Sequence, residues 1–421
     1  MRKPVSYLLA SVFGLLAISG TWWAWAQTGP SARLIQPADL EYRGAFRLPD
    51  GPAEINWEYS GEAAAYYPGG DPQGPADGHP GSLFGAGHNW NQHISETSIP
   101  APVVSATKNL DELPAAKTLQ EFRNIRGNLF GPLEIMRVGL EYLPPQGRQT
   151  SGKLYFCWGQ HMEEGEKAPT HGWCELDLSN PKTAGTWRVG DFQRYVTCDY
   201  LFEVPKSWAD ANLPGMYLAT ARFRDGGQGS QGPVTIAIAP WSDGNPPAPG
   251  AQLKAVPLLM YTDVTAEEQH RMNNYHHADE WPGGAWLTAR ERSAVIFVGT
   301  KGQGKCWYGF ANGVVWPDNG PYPPIPAPPN DSRGWWSSEF VGQILFYDPA
   351  DLAAVAQGQK KPHEPQPYAT LDVDKWLYGV KSKQQKSHLA SCCFDRERAL
   401  LYVFEPRADG DKSLVHVWEV K

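Results

Sequence analysis

A chain of 421 residues can build a sizeable core, and 43 glycines with 38 prolines exclude a helical bundle, because both residues are costly inside helices. The formal net charge of −8 repels polyanions at long range, so no nucleic-acid partner is expected. Six cysteines without paired Cys-x-x-Cys spacing leave no structural zinc signature.

The first residues, MRKPVSYLLASVFGLLAISGTWWAWAQ, set Arg2 and Lys3 before an apolar run from Tyr7 to Ile18. They close on Ala24-Trp25-Ala26, a small-x-small cleavage pattern. Residues 1–26 are therefore expected to be a signal peptide cut after Ala26, giving a secreted or periplasmic protein whose single domain is 27–421. An uncleaved anchor is the alternative, since Trp22, Trp23 and Trp25 suit a membrane interface. No later stretch is apolar enough to span a bilayer. Oxidation in that compartment permits disulfides, and Cys157 and Cys174 fall on strands expected to be neighbours.

Residues 41–49 (EYRGAFRLP) alternate like a strand and stop at the Asp50-Gly51-Pro52 turn. Further on, TARERSAVIFVGTK (288–301) returns as FDRERALLYVFEP (394–406), each a strand, an Arg-Glu-Arg turn and a second strand. Looser copies occupy 63–88, 139–160 and 198–223. Five units of four strands follow from this repeat, with inner strands at 63–67, 138–143, 198–202, 284–288 and 389–394. The expected fold is all-β, a β-propeller of five four-stranded blades. The last unit has only three strands of its own, so the N-terminal strand should supply the fourth and close the ring. A β-sandwich is the alternative, but it has no reason to repeat one four-strand unit five times. A proline-rich insertion, near 317–336, interrupts the fourth unit, and 261–283 carries one possible helical turn near 265–272.

If strands alternate up and down, the loops from outer to next inner strand and from second to third strand share one face, around the channel mouth. The second strands end in His88, His161, Arg222, Lys301, Glu405 and Arg407. The outer-to-inner loops add Glu58, Glu62, Glu134, Arg137, Asp199, His276-His277-Ala278-Asp279-Glu280 and His388. Trp90 and Trp335 lie in the same set of loops. Acidic groups beside indole platforms suit glycoside cleavage: one carboxyl protonates the leaving oxygen, a second attacks or activates water, and flat rings stack on sugar. Glu280, Asp279, Glu134 and Glu58 are the candidate catalytic carboxylates, though adjacent Asp279 and Glu280 cannot both face the channel from a strand. His88, Trp90, His161, Arg222, His277, Lys301, Trp335, His388 and Arg407 are the candidate substrate-binding residues. The cations also suit a uronate, with Tyr275 as base of an elimination. No cofactor is expected. The one alternative is a metal ion held by His88, His276, His277 and His388, which lack a compact ligand spacing.

The five-unit pattern with its cluster at the channel mouth resembles the five-bladed propeller glycosidases and, more loosely, the propeller polysaccharide lyases, over the chain from about residue 40 onward. No diagnostic motif of either accompanies it, so no catalytic residue is carried over. The segments ILFYDPADLAAV and LLYVFEPRADGD also resemble those of secreted bacterial proteins. The reading is a secreted carbohydrate-active protein that acts on a polysaccharide or oligosaccharide. A glycoside hydrolase comes first, a lyase second, and a non-catalytic glycan-binding or partner-binding propeller third.

Overall fold

The computed structural model describes residues 33–51, 55–160, 166–222, 225–241 and 245–421; the expected signal segment and His161 lie outside them. The first strand, β1 (Leu40–Arg47), stands apart from the sheet that follows it. That sheet is β2 (Ala64–Tyr67), β3 (Ser82–Ala86), β4 (Ile94–Ser98) and β5 (Thr118–Arg123). The second is β6 (Met136–Leu143), β7 (Lys153–Gln160), β8 (His171–Cys174) and β9 (Ala184–Val189). The third takes β10 (Tyr200–Glu203), β11 (Leu218–Ala221) and β12 (Thr235–Ile238). After β12, the short β13 (Gln252–Leu253) leaves to pair parallel with β9, and β14 (Ala255–Leu259) returns to complete the third sheet. The fourth is β15 (Glu280–Ala289), β16 (Arg292–Gly309), β17 (Gly334–Tyr347) and β18 (Ala369–Asp372). The fifth is β19 (Cys392–Asp395), β20 (Leu400–Asp409) and β21 (Lys412–Val420), completed by β1 on the outside.

These are five antiparallel blades in a ring. The inner strands β2, β6, β10, β15 and β19 each neighbour the next, and β19 neighbours β2. Closure is by β1 on β21, where Tyr42 faces Trp418 and Phe46 faces Val415. The pairing covers what would otherwise be an open edge with unpaired backbone groups. Polar side chains reinforce it: Arg47 reaches Asp409 at 2.9 Å, and the Tyr42 hydroxyl meets His416 Nδ1 at 2.9 Å.

The blades are buried on both faces, which is why their strands read as continuous apolar runs. Successive side chains on a strand point to opposite faces. Along β16, Val295 and Phe297 enter the core shared with the third blade, while Ala294, Ile296 and Val298 enter the core shared with the fifth. Along β20, Leu401 and Val403 face the fourth blade, and Tyr402 and Phe404 the first.

The same alternation overturns the disulfide expectation. All six cysteines are free. Register sets Leu154 opposite Cys174 and Cys157 opposite His171, so Cys174 packs toward the first blade and Cys157 toward the third. Cys392 and Cys393, consecutive on β19, likewise enter different cores.

Two local features, at 265–272 and at Trp335, differ from expectation, and a short helix follows the fourth blade's third strand. Residues 265–272 form turns without a helix. Asp348-Pro349 opens a helix, Pro349–Ala356, with the Asp348 carboxylate accepting from Ala350 N at 2.7 Å. The β16–β17 hairpin runs on past the blade as far as the Gly309–Gly334 pair, so Trp335 and Trp336 sit on a strand and not in a loop. Among the described residues no helix is long and apolar enough to cross a membrane.

Candidate functional site

A cavity of about 320 Å³ opens at one end of the channel. It is built from the starts of the inner strands. Glu62 precedes β2, Arg137 is the second residue of β6, Asp199 precedes β10, and Glu280 opens β15; the fifth blade contributes Ser387, Leu389 and Ala390 ahead of β19. Each blade thus delivers a residue to the axis from an equivalent position. Tyr59, Asn89, Pro406 and Arg407 complete the rim.

Arg137 is the hub of the charges. Burial alone would lower its pKa, but the carboxylates of Glu62, Asp199 and Glu280 outweigh that and raise it. Its guanidinium lies 3.5 Å from Glu62. About a quarter of the Glu62 side chain remains open to the cavity. Its position deep in the mouth nonetheless desolvates the carboxylate, which raises its pKa; Arg137 opposes the shift and Asp199 adds to it. The Gln92 amide donates to Glu62 Oε2 and to Met136 O, and Gln92 Oε1 accepts from Trp158 Nε1, so the carboxyl is held by a buried scaffold. Glu280 is paired with Lys386 at 3.0 Å and lies 3.4 Å from the Ser387 hydroxyl. Lys386 in turn sits over the Trp336 ring at 5.4 Å, which ties the long hairpin to the cavity.

Of the four carboxylates singled out from sequence, Glu280 lines the cavity. Asp279 does not. Strand alternation turns it inward, where both oxygens meet Lys301 Nζ at 2.9 and 3.1 Å and accept from the backbone of Gly302 and His276. Burial raises its pKa to about 6 despite Lys301. Glu134 is exposed in a groove beside the cavity, and Glu58 is exposed outside the cavity lining, its backbone bridged to Lys412.

Among the described binding candidates only Arg407 lines the cavity, and His161 lies outside the described residues. Trp90 stands in the same groove as Glu134. His88 stands behind Tyr59, edge to face at 5.2 Å. Arg222 is buried, its Nε 3.7 Å from Asp199 and its guanidinium over Tyr195, so it meets the site from behind. Lys301 belongs to Asp279. His388 is buried between Asp374 and the Gln385 carbonyl. Glu405 is likewise enclosed, accepting from His416 and from the backbone of Tyr378 and Gly379. His277 stacks on Trp335 at 4.5 Å, one pair from the far end of the hairpin extension. Among the described residues no three His, Cys, Asp or Glu side chains come together as a metal site. Glu62, Arg137 and Asp199 were legible only as members of the loop sets. Each sits on the inner strand or within two residues of its start, a position shared with Asp279, so strand phase decides which of them faces the cavity.

No family model matches the chain, and no curated protein matches it. Among solved structures, a chain from the humanized mutant of the Chaetomium thermophilum Polycomb Repressive Complex 2 bound to an inhibitor aligns at 10% identity. The alignment covers 90% of this chain and 97% of that one, with a TM-score of 0.32, too low to carry fold or function across.

Proposed function

We propose that the chain is an exported glycoside hydrolase that cuts a neutral glycan at the channel mouth. The observation that carries this reading is the convergence of Glu62, Asp199 and Glu280 around Arg137 in one cavity. Glu62, whose pKa is raised by burial, is the general acid. Its proton passes to the glycosidic oxygen as the bond to the anomeric carbon breaks, and the electron pair leaves with that oxygen. Glu280, held by Lys386, is the second carboxylate, which attacks or activates water from the opposite side of the ring. Asp199, backed by Arg222, adds negative charge facing an oxocarbenium-like centre. The mouth holds the carboxylates that two-acid hydrolysis needs, Glu62, Asp199 and Glu280, while Tyr275, the base an elimination would use, is not in the described lining, and this ranks hydrolysis above elimination.

Reducing-end release from a polysaccharide panel, read together with absorbance of the unsaturated-uronate band, tests the proposal. Hydrolysis gives reducing ends without the band, elimination gives both, and binding alone gives neither. Glu62→Gln and Glu280→Gln should each lower kcat by about 10²–10⁴ while the protein stays folded. Full activity in both variants, or appearance of the band, rejects the assignment.

A further inference from the structure

Beside the cavity lies a second concavity of about 550 Å³, walled by Asn89, Trp90, Leu133, Glu134, Ile135 and Met136. Asn89 lines both, so the two spaces adjoin. Its wall is unusual for a surface. Trp90 is 79% exposed and Ile135 66% exposed, so neither side chain gives folding much in return. Ile135 also has φ of 45°, and among the described residues it is the only β-branched residue in that left-handed region. A branched side chain there strains the backbone, and strain of this kind persists where surrounding structure enforces it, characteristically at ligand sites.

We infer that this groove is the subsite for the leaving-group sugar, and that it takes a neutral pyranose ring with a C–H-rich face. The orientation rests on the hydrolase reading: the general acid must stand on the side of the leaving oxygen. Glu62 stands on the groove side, because the Gln92 amide that donates to its carboxylate also donates at 2.9 Å to the carbonyl of Met136 in the groove wall. The ring chemistry follows from the walls. The Trp90 indole and the aliphatic surfaces of Leu133, Ile135 and Met136 match the apolar face of a pyranose, leaving its equatorial hydroxyls to water, Asn89 and Glu134. Among the described residues Glu134 is the only charged group in the wall, so an anionic ring is disfavoured. Glu134 thereby becomes a binding residue, held in place where its backbone N–H donates to Gln160 Oε1 at 2.8 Å.

The test uses the full chain with cellotetraose, xylotetraose and mannotetraose, alongside glycosyl fluorides and p-nitrophenyl glycosides of the matching sugars. Trp90→Ala should lower kcat/KM on the preferred tetrasaccharide, relative to that on the fluoride, by about 10-fold or more. Ile135→Gly should lower the same ratio while raising the melting temperature, since glycine relieves the strain. In a Glu62→Gln background the tetrasaccharide should quench tryptophan emission, and adding Trp90→Ala should abolish the quench. Hydrolysis with an unchanged ratio in Trp90→Ala overturns the groove and leaves the proposed function standing. Trp90-dependent binding without any hydrolysis does the reverse. Binding of no tetrasaccharide, or Trp90 dependence confined to the p-nitrophenyl glycosides, overturns the sugar subsite.

Discussion

Lys301→Met separates a structural reading of the Asp279–Lys301 pair from a catalytic one. The substitution keeps most of the side-chain volume and removes the charge. Asp279, with its side chain wholly enclosed, would retain only the backbone donors of Gly302 and His276. Breaking a buried ion pair by removing one partner costs about 3–5 kcal/mol. For a chain of this size the entropy of unfolding is roughly 0.8 kcal/mol per degree, so the melting temperature should fall by about 4–6 °C. The pH dependence has a definite sign. Asp279 titrates in the folded protein near pH 6, above its ordinary value, so its protonated form favours the fold and stability declines as pH rises through that window. Without Lys301 the window moves higher still. The loss should therefore be largest near pH 8 and small near pH 4. Asp279→Asn combined with Lys301→Met should recover at least half of it, because no uncompensated charge remains. Thermal melts of the three variants across pH 4–8 make the measurement. A Lys301→Met protein within about 1 kcal/mol of wild type at pH 8, or a double variant no better than the single, refutes the reasoning. An Asp279→Asn protein that melts like wild type but hydrolyses nothing returns the carboxylate to the chemistry.

Glu141, at the other end of β6 from Arg137, is raised to about pH 8 by burial and by Glu203, against the pull of Arg396. Its folded form keeps a proton that the unfolded chain loses near its ordinary value, so stability should decline from about pH 4.5 to about 8. Glu141→Gln should gain roughly 2–4 kcal/mol at pH 8 and little at pH 4.5 by denaturant titration, and equal gains at both rule this out. Gly299→Ala would place a Cβ 1.9 Å from the Glu280 carbonyl oxygen and 2.8 Å from the Trp281 ring. The start of β15 must then move, lowering both kcat and melting temperature; wild-type values in both would show that the strand has slack there.

The fold was readable because a blade buried on both faces leaves an unbroken apolar mark. VIFV in β16, LYFC in β7 and LYVF in β20 recur at corresponding places in their blades, and the missing outer strand of the last unit directs attention to residues 41–49. The disulfide expectation failed on a quantity sequence does not show. Neighbouring strands bring Cys157 and Cys174 near in topology, but the register sets them three residues out of step and on opposite faces. The hairpin extension was hidden for a related reason. Lys301-Gly302-Gln303-Gly304-Lys305 has the composition of a loop, yet its backbone continues the ladder, with the register shifting between Gln303 and Cys306.

The scatter of the candidate site residues follows from radial position. Most of the described polar residues at the ends of second strands stand between two blades, where they must be paired, Lys301 with Asp279, Glu405 with His416, Arg222 with Asp199 and the Tyr195 carbonyl, while Arg407 reaches the cavity rim. A polar residue at the start of an inner strand stands on the axis, where five such positions converge and leave room for a ligand. The two classes look alike as sequence, being charged residues beside short β-branched or aromatic runs. The adjacent pair Asp279 and Glu280 shows how little separates them, since one residue of strand phase sends the first into the seam between blades and the second into the cavity. Hence the residues placed around the cavity by their position on the inner strands, Glu62, Arg137, Asp199 and Glu280, are a better guide to the chemistry than the histidines and lysines that stand out in the loops.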